Sequence, residues 1–166
     1  MYNKFSSLFL LVSILLLLTS CSLFQNKQAI VADTVSTDLS EENIDGIVLG
    51  TKINDSNFIK KHQIKNDHSN SYHLDHDKYS ILTNDYDVIT FITGDETTQT
   101  EKEVKVGDSI NEVINKYGKN YYEYTVQGVQ TIGYVDHAYK SKIDFWYVDE
   151  KVITIDLSNE AVNPYQ

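Results

Sequence analysis

Gly46-Ile47-Val48-Leu49-Gly50-Thr51-Lys52-Ile53-Asn54 and Val104-Lys105-Val106-Gly107-Asp108-Ser109-Ile110-Asn111 are two versions of one phrase. Each sets an aliphatic stretch before a glycine and places Ile-Asn three residues after it. A short helical pattern follows each: Phe58 to His62 in the first copy, Val113 to Gly118 in the second. Recurrence of the same signals in the same order marks an internal repeat. The second helix is the better punctuated. Ser109 and Glu112 stand at capping-box spacing, Ile110, Val113, Ile114 and Tyr117 share a face at helical period, and Gly118 can end the helix at positive φ.

Outward from the helices, each copy ends in a strand-turn-strand pattern rich in β-branched and aromatic residues. Tyr79 to Thr83 turns through Asn84–Asp87 into Val88 to Ile92, and Ile143 to Val148 turns through Asp149-Glu150 into Lys151 to Leu157. Val-Ile-Thr occurs in both second strands, at 88–90 and 152–154, and marks them as equivalent. Tyr121 to Val126 and Val129 to Tyr134, divided by Gln127-Gly128, form another hairpin; Ser71 to Asp75 is its weaker counterpart in the first copy. The expectation is an α+β fold of two tandem units, 44–98 and 99–160, each a short helix or helical hairpin on an antiparallel β-sheet. Residues 161–166 are expected to be a tail.

At the other end, Lys4 precedes an apolar run from Leu8 to Leu18 broken only by Ser13. That run has the length of a signal-peptide core and is too short to span a bilayer. Leu18-Thr19-Ser20-Cys21 follows, and it resembles the bacterial lipobox: an aliphatic residue, two small residues, then Cys. The resemblance implies cleavage between Ser20 and Cys21, a signal peptide over 1–20, and a diacylglyceryl group on the Cys21 thiol. It implies in turn an extracytoplasmic protein of the cell membrane whose first partner is the lipid bilayer. Two acyl chains anchor stably at ~0.8 kcal/mol per buried CH₂. Cys21 is the chain's only cysteine, so no intrachain disulfide can form. The polar stretch over 21–43 reads as a flexible tether with a root-mean-square reach of ~25 Å.

The unit of Gly, short helix, Lys116-Tyr117-Gly118 and antiparallel strands resembles the β-lactamase-inhibitor-protein-like group. The same general fold occurs in small lipoproteins of outer-membrane assembly. The matching residues are Gly50 and Gly107, Ile53 and Ile110, and Lys116-Tyr117-Gly118, within residues 44–157; His62-Gln63 departs from the aromatic-Gly pattern in the first copy. The resemblance implies a helix on one sheet face and a protein-binding surface on the other. It carries over no functional residue.

Composition limits the chemistry. The chain has a formal charge of −10, and all its 14 basic residues are Lys. Nucleic acid is therefore not an expected partner, and no Arg fork exists for phosphate or carboxylate. No phosphate loop, nucleophile elbow or catalytic constellation occurs, and no cofactor is expected. Asp67 to Asp77 gathers three of the five histidines, and His73, Asp75 and His76 are the residue types that bind divalent metal. His62 reads as a core or boundary histidine. His137 beside Asp136 is adjacency, not a dyad. Phe145, Trp146 and Tyr147 are the aromatic anchors of a candidate partner face. The expected function is non-catalytic binding of a protein or wall component, with glycan binding, metal handling or an unrecognised enzymatic activity as alternatives.

Overall fold

Alternation decides the sheet. In Ser141–Val148, Ile143, Phe145 and Tyr147 point one way and Lys142, Asp144 and Trp146 the other, as the period of two requires. The computed structural model describes residues 27–159. Eight strands form one antiparallel sheet: β1 (Ile64–His68), β2 (Ser71–Leu74), β3 (Tyr79–Thr83), β4 (Ile89–Gly94), β5 (Tyr122–Val126), β6 (Val129–Asp136), β7 (Ser141–Val148) and β8 (Lys151–Asn159). Their spatial order is β1-β2-β3-β4-β8-β7-β6-β5. Two four-stranded meanders therefore meet where β4 pairs with β8. The fold is α+β, a mostly antiparallel sheet with a few short helices.

The chain divides into two units, residues 1–33 and 34–166. In the first unit, the described residues include helix α1 (Lys27–Asp33). In the second, α2 (Ser56–Lys61) starts at Asp55, whose carboxylate accepts from the Asn57 and Phe58 amides. α3 (Ile110–Tyr117) starts at Ser109 with the expected capping box to Glu112, and Gly118 follows at φ 94°. Tyr134, Ile143, Leu157, Ile92, Ile81 and Tyr72 are successive register partners across six strands. They line one face and pack with Phe58, Ile110, Val113 and Tyr117 in the hydrophobic core.

Both Gly-x-x-Ile phrases make the same backbone contacts. The Gly50 amide donates to Ile89 O and the Ile89 amide to Thr51 O; the Gly107 amide donates to Val152 O and the Val152 amide to Asp108 O. The Ile53 and Ile110 amides donate to Asp87 O and Glu150 O. Gly50 and Gly107 sit at φ 84° and 94°, a region open to glycine at little cost.

Several expectations need correction. Val88–Thr90 and Val152–Thr154 do not occupy matching places. Ile89 and Val152 do, because a bulge skips Thr90 in one pairing and Ile153 in the other. Strand β1 lacks the alternating apolar pattern. Its Ile64-Lys65-Asn66-Asp67-His68 is an exposed edge strand, and charge on an edge blocks further pairing. The expected tether over 21–43 is helical at 27–33, and its last part, 34–43, is pinned to the sheet unit. Leu39 is buried, and the Thr37 amide donates to Val135 O. Residues 1–26 and 160–166, including the signal peptide, Ser20, Cys21 and the 161–166 tail, lie outside the described residues.

Candidate binding face

The second face of the sheet carries polar side chains where the first carries aliphatic ones. Tyr122, Gly133, Asp144, Asp156, Thr93, Ser80, His73 and Lys65 are successive register partners from β5 to β1, one residue from every strand. Asp144 and Asp156 face each other across β7 and β8, and both are buried, as is Lys142 two residues from Asp144. Burying such groups is tolerated only where hydrogen bonds or opposite charge compensate them.

Aromatic donors supply part of that compensation. The Tyr122 hydroxyl donates to Asp144 Oδ1 at 2.7 Å, and Trp146 Nε1 donates to Asp156 Oδ2 at 2.8 Å. Tyr124 stacks on Tyr122 at 6.0 Å and meets Trp146 edge-on at 6.4 Å. Burial, and then the Asp144 charge, push the Tyr124 phenol well above its ordinary value, so it stays protonated. Gly133 makes the geometry attainable: a Cβ there would lie 2.5 Å from both Tyr122 Cε2 and Asp144 Oδ1. From Thr93 through Ser80 to His73 the row is half-exposed, and so are Trp146, Tyr124 and Thr154 beside it.

The aromatic trio Phe145, Trp146 and Tyr147 is thus divided. Phe145 and Tyr147 belong to the core, where Phe145 packs edge-on against Tyr117 at 5.1 Å. They are not part of a partner face. Trp146 alone lies on the polar face. Period-two alternation sets Trp146 opposite Phe145 and Tyr147, but the bulge pairs Trp146 with Thr154 and not with Ile153, and alternation does not say which face the helices cover.

Of the metal candidates, His73 and His76 border one pocket while Asp75 is drawn elsewhere. β2 stops at Leu74, and Asp75, His76 and Asp77 all turn at positive φ. Asp75 therefore swings to His62, whose Nδ1 lies 2.6 Å from its Oδ2, and it also accepts from the Gln63 amide at 2.8 Å. Burial raises the Asp75 carboxyl, but these partners outweigh it and hold the carboxyl below its ordinary value. His73 lies between Asp67 at 3.8 Å and Asp77 at 3.5 Å, and it borders a pocket with Gln63, Lys65 and His76. Among the described residues, no group of three or more His, Cys, Asp or Glu is placed to hold a metal ion. His62 is a buried helix-end histidine against Phe58, as its pattern implied. His137 binds the incoming chain: its amide donates to Ser36 Oγ at 3.1 Å, and its Nε2 lies 3.0 Å from Thr34 O.

Comparison with protein families, with curated proteins and with solved structures returns no match. Among the described residues, no helix is long and apolar enough to cross a membrane.

Proposed function

We propose that this protein is an exported bacterial lipoprotein, anchored through a diacylglyceryl group on Cys21, whose sheet unit binds an envelope protein or wall component without catalysis. The observation that carries the binding role is the polar register row on the sheet's second face. Flat sheet surfaces present donors and acceptors at fixed spacing, and Trp146 and Tyr124 add rigid aromatic area of the kind that dominates binding energy. The buried carboxylates have a supporting part: Asp156 fixes the Trp146 indole and Asp144 the Tyr122 ring.

In this reading the sheet unit is two tandem copies of one helix-and-meander element, over 44–98 and 99–160. The matched backbone contacts of Gly50 and Gly107, the matched bulges, and the pairing of each copy's last strand with the other favour it. The resemblance to the β-lactamase-inhibitor-protein-like group points the same way, since its open sheet face binds protein.

Site-specific photocrosslinking in living cells tests the binding role. A crosslinking amino acid at Leu82 or Thr154, both half-exposed on the polar face, should capture one envelope component. The same group at Ile59, exposed on α2, should not. Capture from Ile59 alone, or from neither surface, would remove the polar face as the site. Labelled palmitate should enter the protein and be lost in Cys21→Ser.

A further inference from the structure

The strands have two ends, and the chain enters the sheet unit at one of them. Ser141 pairs with Asn159, and Phe91 pairs with Ser158. The β6–β7 turn and the β3–β4 turn therefore lie at the same end, beside the last residues of β8. The incoming segment is fixed there. Thr34 and Ser36 contact His137, the Thr37 amide donates to Val135 O at 2.8 Å, and the Leu39 amide donates to Asp136 Oδ2 at 2.9 Å.

That end also holds the three most exposed large apolar or aromatic side chains among the described residues. They are Tyr86 at 79% on the β3–β4 turn, Tyr139 at 66% on the β6–β7 turn and Val35 at 65% in the incoming segment. The two turns are three strand spacings apart, about 14 Å. The exposed Lys140 sits beside Tyr139, and the Asp85 and Asp87 carboxylates near Tyr86 accept from Asn70 and Asn54. The turns of the opposite end carry six carboxylates, Asp75, Asp77, Asp95, Glu96, Asp149 and Glu150, against Lys78, whereas the β3–β4 and β6–β7 turns carry Asp85 and Asp87 against Lys140.

We infer that the end carrying Tyr86 and Tyr139 is a membrane-docking surface that rests on phospholipid headgroups. The inference rests on lipid anchoring at Cys21. Thirteen residue steps lead from Cys21 to Thr34, and seven of those residues are helical. At ~1.5 Å per helical residue and at most ~3.4 Å for each of the others, the chain can reach no more than ~30 Å from the anchor. β8 alone, at nine residues, is about as long. The entry end is therefore held near the bilayer. Tyrosine suits the headgroup layer because its ring is apolar and its hydroxyl wet. An anionic leaflet repels the six carboxylates of the opposite turns more than the two beside Tyr86, which favours the entry end facing the bilayer. The polar sheet face then stands along the bilayer normal, open to a partner from the side.

Depth-dependent quenching tests the orientation. The full chain carries Ala138→Cys or Glu96→Cys, labelled with an environment-sensitive fluorophore, in vesicles of phosphatidylethanolamine and phosphatidylglycerol doped with headgroup-proximal spin-labelled lipid. Labelled palmitate on Cys21 is measured on the same preparation. The expected result is at least twofold stronger quenching from position 138 than from position 96. In the same chain, Tyr86→Ser with Tyr139→Ser should lower the quenching at 138. Equal quenching, or stronger quenching from 96, in a palmitate-bearing protein overturns the docking surface and leaves the anchor standing. Absence of palmitate overturns the anchor and the docking surface together.

Discussion

The Tyr117 hydroxyl donates to Glu42 Oε2 across 2.8 Å, joining residues 75 positions apart in the chain. Glu42 also accepts from the Glu101 amide at 3.0 Å and the Asn43 amide at 3.3 Å. One buried carboxylate thus ties the incoming segment to α3 and to the crossover between the meanders. Tyr117 is held in turn by stacking on Tyr134 at 5.1 Å and by the Lys102 ammonium 4.5 Å from its ring centre.

Glu42 should make stability fall with rising pH. Burial raises its pKa above the ordinary 4.5, against the hydrogen bonds from Tyr117 and the two amides, which lower it. The folded protein therefore holds this proton more tightly than the unfolded chain. The stabilising contribution is complete below 4.5 and is lost as pH rises through the folded value. Glu42→Gln should cost more at pH ~4 than at pH ~7, because only the wild type meets the charging penalty. Urea unfolding of both proteins at the two pH values checks this; a gap that widens with pH would count against it. Glu42→Ala should cost about 2–3 kcal/mol, since it removes the buried acceptor of the Tyr117 hydroxyl and that of the part-buried Glu101 and Asn43 amides.

Asp45 should act in the opposite sense. Its carboxylate takes Lys78 Nζ at 2.9 Å, the Tyr79 hydroxyl at 2.9 Å and the Gln99 amide at 3.1 Å. Burial raises its pKa, but these partners together hold it below the ordinary 3.8. Its contribution is present above 3.8 and lost as pH falls through the lower folded value. Asp45→Asn should cost about 1–2 kcal/mol near neutral pH, within the range for charge-assisted hydrogen bonds after screening. That cost should shrink steadily in acid. A cost that stays constant down to pH ~2 would contradict the linkage.

Gly133→Ala should destabilise by about 1–3 kcal/mol, the usual result of overpacking. The new methyl would drive the Tyr122 ring off Asp144, because both lie within 2.5 Å of its position. In a Tyr122→Ala background the same change should cost less than it does alone, since half of the clash is gone. Strict additivity in a double-mutant cycle would mean that the ring does not depend on the glycine.

Asp136→Ala should loosen the entry segment and the β6–β7 turn together. Its Oδ2 accepts from the Leu39 amide, and its Oδ1 accepts from the Ala138 and Tyr139 amides at 2.9 and 3.2 Å. Hydrogen exchange should quicken at all three amides while the β7–β8 core keeps its protection. Faster exchange at Ala138 and Tyr139 with Leu39 unchanged would show that the entry segment is held independently.

Much of the local structure is legible in the residues. Ser109 and Glu112 announce the start of α3, and Gln127-Gly128 and Asp149-Glu150 take the positive φ angles of tight hairpin turns. The polar row is harder to see. Its eight members are spread from Lys65 to Asp156, and neighbours in space such as Thr93 and Asp156 are far apart in sequence. The offset between Val88–Thr90 and Val152–Thr154 is hidden as well, because the matched bulges at Thr90 and Ile153 that reveal it leave no mark in the composition.

Taken alone, the amino-acid order determines helix caps, hairpin turns, the two-residue period of the strands and the repetition of Gly-x-x-Ile, since each is set by neighbours a few residues apart. Only the tertiary structure decides that β4 pairs with β8, that Phe145 and Tyr147 go inward while Trp146 stays on the polar face, and that residues 34–43 join the fold. Those outcomes depend on contacts such as Glu42 with Tyr117 and Leu39 with Asp136, which form only once distant segments are brought together. Period-two alternation gives a strand two faces of different character, and long-range packing chooses which of them the helices cover.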